Sequence, residues 1–280
     1  MNNILILDGY NLIYRARYSG MNKGNNSTVF NFFRGIRPLV EKFSPDIVYF
    51  VLEGMPKARL EVSPDYKGQR VYNDDDGFRR QRKEIINLVK NHLPFITVKH
   101  DDYECDDIIN FLANTKHALN NVTIVSSDTD FIQSINDTTQ LYNPVRKSFV
   151  QKTEYDYVSW KSLVGDKSDN ISGFKGIGNK RAQALLENVD KLNDFLSQED
   201  FKQKFEKNKF MIAFHDLEKD SENIVFTYNK NNLQWNLLKE KFIDFEFNSI
   251  VSKEKTWNKY INTFENLERN LKNVNWNFIR

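Results

Sequence analysis

Seven carboxylates stand just behind four short apolar runs. Asp8 follows residues 4–7, and Glu53 follows 47–52. Glu104, Asp106 and Asp107 lie in "YECDD", shortly after 95–98, and Asp128 and Asp130 lie in "SSDTD", after 122–125. A lone aspartate in such a place is an ordinary helix cap. A cap, however, needs only one oxygen, and here acids cluster at two of the four positions. Like charges gathered at one rim repel one another unless a cation neutralises them. The pattern therefore points to a divalent ion held by hard oxygen donors, which favours Mg²⁺ or Mn²⁺ over zinc. None of the four histidines (His92, His100, His117, His215) lies inside an acidic motif, so a histidine base is not expected.

A second group stands in "SLVGDKSDNISGFKGIGNKRAQALL", residues 162–186. Asp166 and Asp169, three apart at the end of an apolar helical segment, can point back toward the carboxylate rim. Gly173, Gly176 and Gly178, followed by Lys180 and Arg181, suggest a glycine-rich turn between two helices. Exposed amides with basic residues behind them can hold a phosphodiester backbone without reading bases. An ordinary corner between two helices accounts for the segment equally well.

These side chains need a frame. The runs at 4–7, 47–52, 95–98 and 122–125 read as buried parallel strands, separated by helical periodicity at 29–43, 81–92 and 105–117. The alternation predicts an α/β fold: a mainly parallel twisted sheet with helices on both faces. In such sheets sites form outside the carboxyl ends of the strands, where these acids fall. Residues 54–84 break the pattern. They are basic, carry tyrosines and are too long for an ordinary connection, so they are either a functional loop or a solvated one. After residue 186 the chain is polar, with aromatic residues at helical spacing that suit a helical core. A single cysteine, Cys105, permits no internal disulfide or cysteine zinc site and fits a reducing cytoplasm. The first twenty residues do not read as a signal peptide, and no run approaches a membrane span.

Five co-linear segments carry a family resemblance: "ILDGYNLIYR", "YKGQR" (66–70), "YECDDIINFLA" (103–113), "SSDTDFIQ" (126–133) and "GDKSDNISGFKGIGNKRAQALL" (165–186). Over residues 1–190 the chain resembles the 5′-nuclease (flap endonuclease) superfamily, and within it the phage enzymes. The resemblance implies a PIN-like nuclease core over 1–165 with a helical arch at 54–84. It implies a helix–three-turn–helix and helical C-terminal region over 166–280, with a potassium ion at the turn. Metal ligands would be Asp8, Glu53, Glu104, Asp106, Asp107, Asp128, Asp130, Asp166 and Asp169, holding two Mg²⁺ or Mn²⁺ ions. Lys67 and Arg70 would address the scissile phosphate; a helical "YKGQR" would put both on one face. Tyr66, Gly173, Gly176, Gly178, Lys180 and Arg181 would meet DNA.

Two departures stand out: Glu53 where family members usually have Asp, and Cys105 where Ala is common. The net charge of +2 hides a strong field, because setting the nine acids aside leaves 40 Lys and Arg against 29 acids. The expected activity is metal-dependent, structure-specific 5′→3′ cleavage of 5′ flaps and of nicked, gapped or primer-bearing duplexes. RNA/DNA hybrid is a further expected substrate, and the enzyme is expected to be a cytoplasmic monomer, in the host cell if phage-encoded. The rival readings are a DNA-binding module of the same fold impaired in catalysis, and a small single-strand ribonuclease of the PIN class.

Overall fold

The computed structural model describes residues 1–20, 24–70, 74–229 and 233–272. Residues 71–73 of the expected arch and 273–280 of the expected C-terminal region lie outside them.

Four predicted strands form, at nearly the predicted bounds: β1 (Asn3–Asp8), β2 (Ile47–Val51), β3 (Ile96–Lys99) and β4 (Asn121–Val125). Three more complete the main sheet: β5 (Thr139–Asn143), β6 (Ser148–Val150) and β9 (Val225–Thr227). A separate short pair, β7 (Gly165–Asp166) and β8 (Ile171–Ser172), lies beyond it. The seven-stranded order is β6-β5-β4-β1-β2-β3-β9. The five inner strands are parallel; β6 and β9 close the two edges antiparallel. In β1 every residue after Asn3 is buried, as is all of β2, so both are continuous apolar runs rather than alternating ones.

The register decides where the acids go. Leu7 lies opposite both Phe50 and Val125, and Val51 lies opposite Val98, so four strands finish at one level. The residues that follow share one rim. β1 also sits where the strand order reverses, between β4 and β2. Open α/β sheets leave a crevice at that place.

Among the described residues, twelve α-helices carry the rest: α1 (Gly9–Tyr18), α2 (Ser27–Phe43), α3 (Lys57–Val62), α4 (Asp76–His92), α5 (Cys105–Phe111), α6 (Tyr157–Val164), α7 (Asn179–Leu186), α8 (Val189–Phe195), α9 (Glu199–Ile212), α10 (Trp235–Asp244), α11 (Asn248–Val251) and α12 (Glu254–Lys272). Successive strand side chains face opposite ways. Phe50 meets Phe32 of α2, while its neighbour Tyr49 meets His117, beyond α5, so both faces are covered. The helix predicted over 105–117 stops being α-helical at Phe111 and continues as a wider turn, Leu112–Lys116. There His117 N–H donates to Leu112 O, and its ring meets the Tyr49 hydroxyl at 2.8 Å.

The late chain divides in two. α6, the glycine-rich turn and α7–α9 surround a small core of Leu163, Phe174, Ile177, Ala182 and Phe205. From β9 onward the chain returns to the main sheet. Phe242 of α10 packs on Phe33 at 5.1 Å, Phe264 of α12 on Phe95 at 6.0 Å, and the Tyr260 hydroxyl donates to Phe33 O. The aromatic stripe near the C-terminus is therefore part of the sheet's own core.

Candidate active site

A cleft of about 1020 Å³ opens at the strand ends. Eight of the nine expected acids line it: Asp8, Glu53, Glu104, Asp106, Asp128, Asp130, Asp166 and Asp169. Lys67 and Arg70 line it too.

Local structure aims these groups. Asp8 ends β1 and caps α1, accepting from Asn11 N–H at 3.1 Å; Ser126 Oγ donates to its other oxygen at 2.7 Å. The same Ser126 Oγ accepts from Asp128 N–H, which ties the tips of β1 and β4 together. Glu104 precedes α5 but does not cap it, leaving its carboxylate for the cleft. Gly165 and Asn170 take left-handed backbone (φ +85° and +61°), folding β7 and β8 back so that Asp166 and Asp169 face the rim.

The acids fall into two sets. Asp130 accepts from Lys161 and from Tyr157 OH, and Lys161 also reaches Asp166 at 2.5 Å. Lys67 pairs with Glu104 and lies 3.8 Å from Asp169, which also takes Arg70. Burial alone would lower both ammonium pKa values, but the neighbouring carboxylates hold them above the ordinary range. Burial would also raise Asp166, yet Lys161 and Ser168 bring it below its ordinary value.

The other set lacks such paired cations, and Lys67 acts on Glu53 and Asp106 only through its more distant charge. Among the described residues no Lys or Arg forms an ion pair with Asp8, Glu53, Asp106 or Asp128. Burial, with the charge of Asp128 nearby, pushes Asp8 up to about 6. Burial and the Glu104 charge push Glu53 up to about 7. Asp106 is raised well above the carboxylate range by burial and by Asp8, Asp128 and Glu53. Desolvated carboxylates facing one another without an ion pair are the donor set that a hard divalent ion suits, so these residues fit one.

Two expected residues are engaged by the protein itself, and one of them lies outside the cleft. Asp107 does not line the cleft: one step further round α5, it is fully buried and takes a two-pronged bond from Arg59, at 2.7 and 2.8 Å. His215 N–H donates to it as well. Tyr66 does line the cleft, yet it is only 6% exposed. It is buried with Ile171, Met211 and Ile212, and its hydroxyl bridges Glu104 and Asp169 at 3.1 Å each. Nor is "YKGQR" helical. It forms turns, and the left-handed residue is Lys67 (φ +55°), not Gly68. Lys67 and Arg70 converge because both reach Asp169, not through helical spacing.

The glycine-rich turn lies between α6 and α7, as predicted. Gly176 has φ +77°, a backbone that disfavours side chains. Gly173 serves packing instead, since a Cβ there would sit 2.0 Å from Val164 O. Gly176, Gly178, Lys180 and Arg181 are exposed. The Gly173 carbonyl accepts from Lys204 Nζ at 2.7 Å, so an ammonium already serves one carbonyl of the turn.

Arg59 and Lys161 were missed in the sequence. Arg59 sits in a stretch that looks like a solvated basic loop. Lys161, five residues before Asp166 in "KSLVGD", stood beside a quoted motif without being drawn into it.

An acidic crevice at the switch point of a parallel sheet, with basic side chains at its mouth, is a nuclease architecture. The chain belongs to the 5′-3′ exonuclease family: residues 3–162 match its N-terminal resolvase-like domain and 153–242 its C-terminal SAM fold. It is 27% identical over 224 residues to the 5′-3′ exonuclease of Mycoplasmopsis pulmonis, covering 73% of this chain and 74% of that protein. It is 29% identical over 204 residues to DNA polymerase I of Treponema pallidum, covering 65% of this chain and 20% of the polymerase, so it spans about a fifth of that relative's length. In fold it is similar to the bacteriophage T5 flap endonuclease solved with DNA and metal ions, with a TM-score of 0.64 and 19% identity, over 95% of this chain and 99% of that one. No helix among the described residues is long and apolar enough to cross a membrane.

Proposed function

We propose that this family member is a divalent-metal-dependent nuclease that cuts at 5′ flaps and at nicked, gapped or primer-bearing duplexes, removing flaps and RNA primers during DNA replication, in a phage setting. One observation carries the reading. Four strand ends and the β7–β8 segment bring eight carboxylates to one cleft, under cations borne by the 54–84 segment.

Two Mg²⁺ or Mn²⁺ ions, when bound, supply charge neutralisation at the phosphate and a more acidic water. Asp8, Glu53, Asp106 and Asp128 would hold the first ion. Glu104, Asp130, Asp166 and Asp169 would serve the second, giving up their pairs with Lys161 and Lys67. Once released, Lys67 and Arg70 can face the scissile phosphate. Gly176, Gly178, Lys180 and Arg181, exposed at the start of α7, suit the duplex backbone. A potassium ion at this turn is less well supported, because Lys204 already supplies a positive charge there. A monomer working in the cytoplasm completes the proposal.

The test is cleavage of a labelled 5′-flap duplex, and of an RNA/DNA hybrid, with Mg²⁺ and with chelator. Asp128→Asn and Asp130→Asn are expected to lose most cleavage while duplex affinity stays within about threefold, since the phosphate contacts that dominate affinity remain. Near-normal turnover in both variants would defeat the two-ion assignment.

A further inference from the structure

One donor in the cleft is not an oxygen, and a single cysteine, too few for a zinc site built of cysteines, can still join carboxylates in a mixed one. Cys105 is the only cysteine of the chain and is 4% exposed. Its Sγ lies 3.1 Å from Asp106 Oδ1 and 3.8 Å from Asp8 Oδ1. The ligand atoms of Asp8, Cys105 and Asp106 all lie within 4.8 Å of one another. Donors bound at about 2.0–2.3 Å around a tetrahedral ion lie about 3.3–3.8 Å apart, so small side-chain rotations close this trio on an ion. Its two acids belong to the set without an ion pair, and the trio lines an open cleft through which an ion can enter.

We propose that Asp8, Cys105 and Asp106 form a mixed sulfur–oxygen site that captures thiophilic divalent ions, with cadmium and zinc as its chemical class. Thiolate selects soft and borderline metals, while magnesium prefers oxygen and keeps much of its water. With Mg²⁺ the thiol stays protonated and forms a neutral wall of the cleft. With Cd²⁺ or Zn²⁺ a metal–sulfur bond forms and the thiol proton leaves to solvent, with no change of oxidation state. A thiophilic ion held in this way shares Asp8 and Asp106 with the magnesium centre and excludes Mg²⁺ from it. The nuclease would therefore be tuned by trace zinc as well as by magnesium. The inference rests on reading the cleft as a divalent-metal centre.

The experiment titrates the full chain, free of reducing agent and chelator, with Cd²⁺ alone and follows the near-ultraviolet cadmium–thiolate charge-transfer band. With one cysteine in the chain, any such band comes from Cys105. The expected result is a band that saturates at one equivalent, is absent in Cys105→Ser and Cys105→Ala, and is bleached by competing Zn²⁺. Both variants should lose on the order of tenfold or more in Cd²⁺ affinity, as disturbed metal sites do. Calorimetry with Mg²⁺ on the unmodified chain tests the underlying centre separately. Mg²⁺ binding without a cadmium band overturns the sulfur site alone; absence of both overturns the centre. A band that persists in a variant, or Cd²⁺ affinity unchanged on loss of the thiol, also overturns it. If the variants fail to fold, the band in the unmodified chain decides.

Discussion

Arg59 is the side chain whose loss the structure makes most expensive. It is 3% exposed and makes five hydrogen bonds: to Glu104, twice to Asp107, and to the carbonyls of Met211 and Ala213. Those partners span the start of α5 and the end of α9, so one guanidinium joins the 54–84 segment, the sheet and the turn-bearing unit. Arg59→Ala leaves Asp107, with no exposure at all, charged and without its cation. Removing one partner of a buried pair costs about 3–5 kcal/mol, which for a chain of this size lowers the melting temperature by about 6–20 °C. Arg59→Lys should fall between, because one ammonium cannot serve both prongs of Asp107 and two carbonyls together. Urea unfolding in chelator measures the loss. In a double-mutant cycle, Arg59→Ala with Asp107→Asn should cost less than the two single changes added, since no unpaired charge is left. A loss below about 1 kcal/mol, the size of an exposed ion pair, would refute the argument.

Lys67→Ala should reduce single-turnover flap cleavage on the order of 10²-fold with a smaller change in affinity, because a preorganised cation acts on charge that develops in the transition state; a rate within about threefold of the parent, far short of that loss, would defeat it. Gly176→Val, strained at φ +77°, and Lys180→Ala should weaken duplex binding and flatten its salt dependence, and an unchanged salt slope in both would make the turn merely structural. Asp8 is raised from 3.8 to about 6 and Glu53 from 4.5 to about 7, so the folded metal-free protein holds protons that the unfolded chain releases. Their stabilising contribution is complete below the unfolded values and is lost as pH rises through the folded ones. Thermal melts in chelator should therefore show Asp8→Asn gaining stability relative to the parent from pH 3.8 to about pH 6, with Mg²⁺ reversing the trend; a pH-independent difference would count against it.

The parallel strands and the rim of acids were legible because each rests on local pattern. A buried run of four or five apolar residues reads as a strand, and an acid directly behind it must lie at that strand's end. β6 and β9, only three residues each, carry too little pattern to announce themselves. β9 is also defined by pairing with β3, more than a hundred residues away. Asp107 and Tyr66 went astray for a different reason. Motif position tells which residues gather, but one helical step turns Asp107 away from the cleft to Arg59. Burial of Tyr66 depends on Met211 and Ile212, which no local reading connects to it. Cys105 could be seen as a departure at once, but its distances to Asp8 and Asp106 exist only in three dimensions.

The return of the chain to its own sheet bears on synthesis. Phe33 and Phe95 are made well before Phe242 and Phe264, which cover them, and β3 well before β9, which shields its edge. The stretch from α6 to α9, with the glycine-rich turn and its small separate core, is an excursion from an unfinished domain. At about 5–20 residues per second, roughly 6–24 s separate the emergence of residue 150 from that of residue 271. During that interval the turn-bearing unit has the contacts to pack, while the sheet keeps an open edge and an uncovered aromatic face. Such surfaces invite association with other nascent chains and with chaperones. The acids of the rim emerge before the elements that close the frame holding them at one level.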